Sequence, residues 1–260
     1  MIKRPVSAVA AIALAAGLAA CSSGGNTNGK GTAGGATPST APQLGAKLVS
    51  ALRSVTSAHL DLRFDIAGVT VTGSGDEKIS HGQLTALDLK ESLPTGSQIE
   101  IIHVNGKTYA KLPSQANTSG KPYVLVTPQS SNPIVQQLAG SLNTALSAAS
   151  IKTYSVFVHA AKSLKVDGSD TINGVHTTHY TVVVDVTKVP TTSALSKQAL
   201  QASGLKTLPV DLWVDDQGRP VKVTENITIE GKSLNVVGTM SKYNQPVTIT
   251  APPASQVSTH

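Results

Sequence analysis

In His59-Leu60-Asp61-Leu62-Arg63-Phe64-Asp65-Ile66, every even position is apolar and every odd position is polar. Side chains of an extended chain point alternately to two faces, so this octet predicts a strand with one dry side and one wet side. Strands of that kind belong to antiparallel sheets, since parallel sheets are usually covered on both faces and read as continuous apolar runs. The alternation recurs at Tyr180, Val182, Val184 and Val186, at Leu208, Val210, Leu212 and Val214, and at Val221, Val223, Ile227 and Ile229. Shorter candidate strands lie at residues 69–72, 83–91, 98–104, 107–112, 123–127, 234–240 and 247–250. Asn105-Gly106, Asp215-Asp216-Gln217-Gly218 and Glu230-Gly231-Lys232 supply the turns between strands.

Helical spacing is scarcer. Leu44, Leu48, Leu52 and Val55 share one face of a helix over 44–56. Asn132-Pro133 opens a second helical pattern, with Asn132 as N-cap and Leu138, Leu142 and Leu146 four residues apart. Further helical stretches are expected over 156–164 and 192–203. The fold class is therefore α+β: one large curved antiparallel sheet of about eleven strands, covered on its concave face by a few helices. Only eight aromatic residues are available to fill the space beneath that cover. The pattern fits both a sheet filled by Val, Ile and Leu and one that curls around an apolar cavity.

The amino terminus sets the compartment. Lys3 and Arg4 precede an uncharged run rich in Ala and Leu, which ends in Leu18-Ala19-Ala20-Cys21. A basic start, a short apolar run and small residues describe a secretory signal, here residues 1–20, and the run is shorter than the roughly 20 residues of a transmembrane helix. Small residues directly before a cysteine resemble the bacterial lipobox, which makes Cys21 the expected site of lipidation. The expected location is the outer, extracytoplasmic face of the cell membrane. Cys21 is the sole cysteine, so no intrachain disulfide can form. Residues 21–43 read as the lipidated cysteine and a flexible Ser/Gly/Thr/Pro linker, with a root-mean-square reach of roughly 26 Å. Residues 44–253 form the folded domain, and 254–260 a polar tail expected to fray. Loss of Lys3 and Arg4 with the signal would lower the net charge from +6 to +4. Neither value, without a basic run, points to nucleic acid.

Signatures of catalysis fail at specific positions. Gly106-Lys107-Thr108 and Gly231-Lys232-Ser233 resemble the end of a phosphate-binding loop, yet the required leading glycine is Ile101 or Asn226. His176 and His179 are separated by an odd number, so a strand sends them to opposite faces, and no metal site is expected. No G-x-S-x-G elbow is present, and neither an enzyme activity nor a cofactor is expected. One polar residue is out of place. Glu225 falls on the apolar side of the Val221–Ile229 alternation, where an unpaired carboxylate costs several kcal/mol, roughly 2–7 by transfer scales. It either turns outward at a bulge or meets a ligand headgroup.

Several segments carry a family resemblance: KVDGSDTINGVHTTHY at 165–180, LPVDLWVD at 208–215 with GRPV at 218–221, SKYN at 241–244, VTI at 247–249 and the pair Pro252-Pro253. SAHLDL at 57–62 fits as well. Together they resemble the LppX/LprA/LprF/LprG lipoprotein family of mycobacteria and related actinobacteria. The resemblance implies a half-barrel, a curved sheet closed on one side by helices and similar to the lipoprotein-carrier fold. It also implies an apolar cavity that binds acyl lipids or lipoglycans with two or more chains and assists their transport through the envelope. A membrane exporter is an expected partner. By alternation, Ile99, Ile101, Leu138, Leu142, Leu146, Val182 and Val184 are candidate lining residues, with Glu225 at a headgroup. A different reading makes the domain an envelope interaction module for an exporter or a cell-wall enzyme, with a filled core and an exposed apolar patch.

Overall fold

A computed structural model describes residues 37–66, 68–114, 120–130, 132–133, 135–136, 138–139, 160–189, 204–229 and 232–258. In chain order its elements are α1 (Ala41–Leu52), β1 (Ser57–Ile66), β2 (Val69–Ser80), β3 (Gln83–Ser92), β4 (Gln98–Val104), β5 (Lys107–Lys111) and β6 (Tyr123–Leu125). They continue with β7 (Ala161–Ile172), β8 (Val175–Asp185), β9 (Thr207–Asp215), β10 (Pro220–Ile229), β11 (Lys232–Ser241) and β12 (Val257–Ser258). All twelve strands join one open sheet in the order β12-β6-β5-β4-β3-β2-β1-β11-β10-β9-β8-β7. Every pairing is antiparallel except β12 with β6. The first strand and the last long strand thus meet mid-sheet, where β11 returns beside β1 with Leu60 opposite Met240 and Phe64 opposite Val236.

The even residues of β1 define the inner face. Leu60, Leu62 and Phe64 pack there with Leu87, Leu89, Val236 and Met240. Toward β8 and β9 the same face carries Tyr180, Val182, Val184, Leu208, Val210 and Leu212, and α1 seals it with Leu44, Leu48 and Leu52. Each fully buried leucine of α1 contributes about 1.5–3 kcal/mol by leaving water. Thr40 caps α1, its Oγ1 accepting the backbone N–H of Gln43 at 3.4 Å, and Pro42 occupies the first turn. The helix starts three residues before the expected Leu44, because this cap sits ahead of the apolar stripe.

Four expectations change. β2 does not stop at Gly73 but runs to Ser80, through Gly73 and Gly75. A Cβ on Gly75 would lie 2.0 Å from the carbonyl oxygen of Asp88, so glycine there serves close strand approach and not a turn. The helix expected over 156–164 is overturned at Ala161–Leu164, which pair with β8 at the start of β7. Residues 247–250 form no strand. Ile249 instead lies against Ala86, Ile102 and Val104 on the outer face, beside Tyr109 and Tyr123. Its alternation with Val247 serves docking onto a sheet, not membership of one. Finally, the tail does not fray at Val257, which is buried, pairs with Tyr123 and accepts a hydrogen bond from Lys121 Nζ at 2.9 Å.

Two turn assignments hold in detail. Asn105 and Gly106 both take positive φ, 53° and 70°, as a two-residue hairpin requires. At the β9–β10 turn, Asp215 accepts from the Arg219 backbone N–H and from its Nε, both at 2.7 Å. Asn132 acts as the expected cap, its Oδ1 accepting from the Val135 N–H at 3.4 Å, and Val135, Gln136, Leu138 and Ala139 are helical. Leu142, Leu146 and the helix expected over 192–203 lie outside the described residues, as does Cys21.

Candidate functional site

Strand register assembles the inner face row by row. Across β8, β9 and β10, Val182 faces Val210 and Val210 faces Glu225; β11 and β1 continue the row with Val236 and Phe64. One row along, Leu62 lies between Gly73 and Gly238, and Gly73 opposes Glu91, which opposes Ile99. The next row runs Leu60, Gly75, Leu89, Ile101, Ala110 and Val124. Beyond it, Ala58 faces Glu77, then Leu87, then His103. A mostly apolar surface therefore holds three carboxylic side chains, Glu77, Glu91 and Glu225, with His103 at its end.

Glu225 keeps regular register with Val210 and Val236, so no bulge turns it outward; the irregularity of β10 lies at Pro220/Lys222 instead. Its side chain is buried, with the residue 4 % exposed, and Oε1 has no hydrogen-bond partner. Burial raises its pKa to about 7 and that of Glu77 to about 8, and pushes Glu91 upward as well. In each case the cause is desolvation, which penalises the charged form. His103, hydrogen-bonded to Thr108 Oγ1 at 2.9 Å, is pushed down for the same reason.

The expected lining residues separate into two sets. Val182 and Val184 are buried beside α1. Ile101 is buried and Ile99 half-buried toward the other end, on β4. Leu138 packs against Ala110, Leu112, Val124 and Val135. No shared core cluster joins Leu138 to Val182 and Val184 among the described residues. A cleft of about 380 Å³ opens elsewhere, where Thr56, Lys78, Thr85 and Asn244 meet, and none of the expected residues borders it.

Sequence reasoning missed Glu77 and Glu91. Glu91 follows Leu87 and Leu89 at a spacing of two, so its inward position was available from the alternation. Glu77 was hidden: the two inward positions immediately before it are Gly73 and Gly75, which break the period that Val69 and Val71 begin.

On the outer side of β7 to β10, polar groups converge tightly. His179 stacks on Trp213 at 4.1 Å with a 4° tilt, and Lys222 Nζ lies 4.4 Å from the indole on the neighbouring strand. Trp213 Nε1 donates to Asp170 at 2.7 Å. Asp211 Oδ1 lies 3.1 Å from His179 Nε2 and accepts from Thr181 Oγ1 at 2.7 Å. The Thr181 hydroxyl also lies 2.7 Å from Asp167, which pairs with Lys165. Asp167, His179 and Asp211 thus come within ligand distance of one another, a grouping split over three strands and invisible in the sequence. Thr181 and Lys165 already engage its carboxylates. His176 lies apart, 3.3 Å from Asp216.

An open curved sheet with an apolar inner face, sealed at one end by a helix, is the half-barrel fold. Its structural relatives agree. Lipoprotein LppX of Mycobacterium tuberculosis superposes with a TM-score of 0.52 at 16% identity, covering 80% of this chain and 99% of its own. LprF from Mycobacterium bovis gives 0.53 at 18% identity, over 83% and 99%. No curated protein matches by sequence. The model of the LppX_LprAFG lipoprotein family matches residues 41–249, and the chain belongs to that family. Among the described residues, no helix is long and apolar enough to cross a membrane.

Proposed function

We propose that this lipoprotein holds an acyl lipid or lipoglycan, with two or more chains, against the inner face of its sheet and assists that lipid through the cell envelope. The observation that carries the reading is the inner face itself: rows of Val, Leu, Ile and Phe from β8 to β4, interrupted by the buried and unpartnered Glu225. Binding would be driven by desolvation of acyl chains, at about 25 cal/mol for each Å² of apolar surface removed from water. Ile99, Ile101, Leu138, Leu142, Leu146, Val182 and Val184 would meet the chains, and Glu225 a polar group.

Residues 1–20 would direct export, and a lipid on Cys21 would tether the domain to the outer surface of the cell membrane through residues 22–40. Two or more anchored chains make release slow, since each buried methylene contributes about 0.8 kcal/mol. A tethered carrier must then pass its cargo to a partner, for which a membrane exporter is the expected class. Native mass spectrometry of the chain lacking residues 1–21 tests the binding step. The expected result is a retained mass equal to a lipid with at least two acyl chains. A protein that carries no lipid and takes up none from vesicles contradicts the reading.

A further inference from the structure

Glu225 is surrounded along its row by Val210 and Val182 on one side and by Val236 and Phe64 on the other. Nothing in the described structure hydrogen-bonds its buried Oε1. Burying a carboxyl without a partner costs free energy that a leucine at the same position would not, so its presence in a regular strand asks for a partner from outside the chain. Glu225's own row offers no positive counter-charge among the described residues. From Leu164 on β7 through Val182, Val210, Val236 and Phe64 to Val71 on β2, that row holds no lysine or arginine, and Glu225 is its one ionisable side chain.

Resting on the lipid-holding reading above, we propose that Glu225 is the contact point for a neutral hydroxyl on the cargo, and that this face selects hydroxyl-bearing neutral lipids over lipids bearing phosphate at the same place. A hydroxyl both donates and accepts. It satisfies Glu225 whether the carboxyl is ionised, by donating to it, or protonated, by accepting from it. A phosphate carries only acceptors when fully ionised, and in this row it would be a buried anion beside the Glu225 carboxyl with no cation to compensate it. A cationic amine would need Glu225 ionised in a row of valines, which burial opposes.

The test uses lipids that differ at one position. The full chain, purified in nonionic detergent, is cross-linked to a diazirine-bearing diacylglycerol, and unlabelled lipids compete. Dipalmitoylglycerol, with its free hydroxyl, is expected to compete at least ten-fold better than dipalmitoyl phosphatidic acid, which shares its chains. E225L is expected to weaken dipalmitoylglycerol about ten-fold while leaving tripalmitoylglycerol, which has no hydroxyl, unchanged. E225Q, which removes the charge, is expected to narrow the gap between dipalmitoylglycerol and phosphatidic acid. Leucine on this apolar row does not endanger folding, and melting curves of each variant check that. Equal competition by dipalmitoylglycerol and phosphatidic acid, or no change in E225L, overturns the hydroxyl contact and leaves lipid binding standing. A double-chain amine that competes best overturns it in favour of an ion pair. Absence of any saturable competition by an acyl lipid overturns the lipid-holding reading itself.

Discussion

The two sides of β8, β9 and β10 are built from the same three strands and follow opposite rules. On the outer side, His179, Thr181, Asp211, Trp213 and Lys222 all engage one another or Asp167 and Asp170. On the inner side, one residue further along β10 than the outward-facing Thr224, Glu225 stands among valines with an oxygen that has no partner. Alternation dictates which side a residue faces; it does not dictate whether a polar residue there is satisfied. Satisfied groups fasten strands together, and their removal should cost stability. An unsatisfied buried group costs stability by being present, so its removal should add stability and subtract function.

The largest expected effect breaks the outer side. Trp213→Ala removes the ring on which His179 and Lys222 lie, and should cost about 3–5 kcal/mol in chemical denaturation. The next effect is the pH dependence of the inner side. Burial raises the folded-state pKa of Glu77 to about 8 and of Glu225 to about 7, above the ordinary carboxyl value of 4.5. Between those limits the folded chain holds protons that the unfolded chain has released, so stability falls as pH rises from 5 to 8. Each tenfold change in proton affinity between the two states sets an upper bound of about 1.4 kcal/mol on its share of the fall. Melting curves of the Glu77→Gln, Glu225→Gln double variant should fall less steeply over that range than those of the unaltered chain.

Glu225→Leu alone should stabilise the protein at pH 8 by about 1–3 kcal/mol, the gain from removing an unsatisfied buried group. A loss of stability there would show that Glu225 is structural, and would erase the contrast between the two sides. Asp211→Ala, which leaves His179 Nε2 and Thr181 Oγ1 short of an acceptor, should cost about 1–2 kcal/mol by the same measure. Lys222→Ala should be the mildest, about 1 kcal/mol, as for a half-buried cation–π pair at the sheet surface.

The sequence was most readable where large apolar residues marked the inward positions. β1, β9 and β10 appear within two residues of their observed bounds because Leu60, Leu208 and Val221 and their successors carry the period, whereas β8 begins five residues before Tyr180, where Thr178 and His176 replace the apolar carriers. β2 was cut short because its inward positions are Gly73, Gly75 and Glu77, where the pattern has no hydrophobic carrier. The 247–250 stretch was misread because a chain docking one apolar residue onto a sheet, as Ile249 does, shares the alternation of a strand. Of the site, Glu225 was legible as a break in an unbroken period. The Asp167, His179 and Asp211 grouping was not, since its members are brought together only by the register of β7, β8 and β9.

The central claim is that cargo meets the inner side while the outer side only holds strands together. Photo-cross-linking with a diacylglycerol that carries a diazirine near the end of one chain, followed by mapping of the adducts, tests it most directly. Adducts are expected on inner residues such as Val182, Val210, Val236 and Phe64, with none on His179, Trp213 or Lys222. Adducts concentrated on those three outer residues, with the inner row unlabelled, would contradict it.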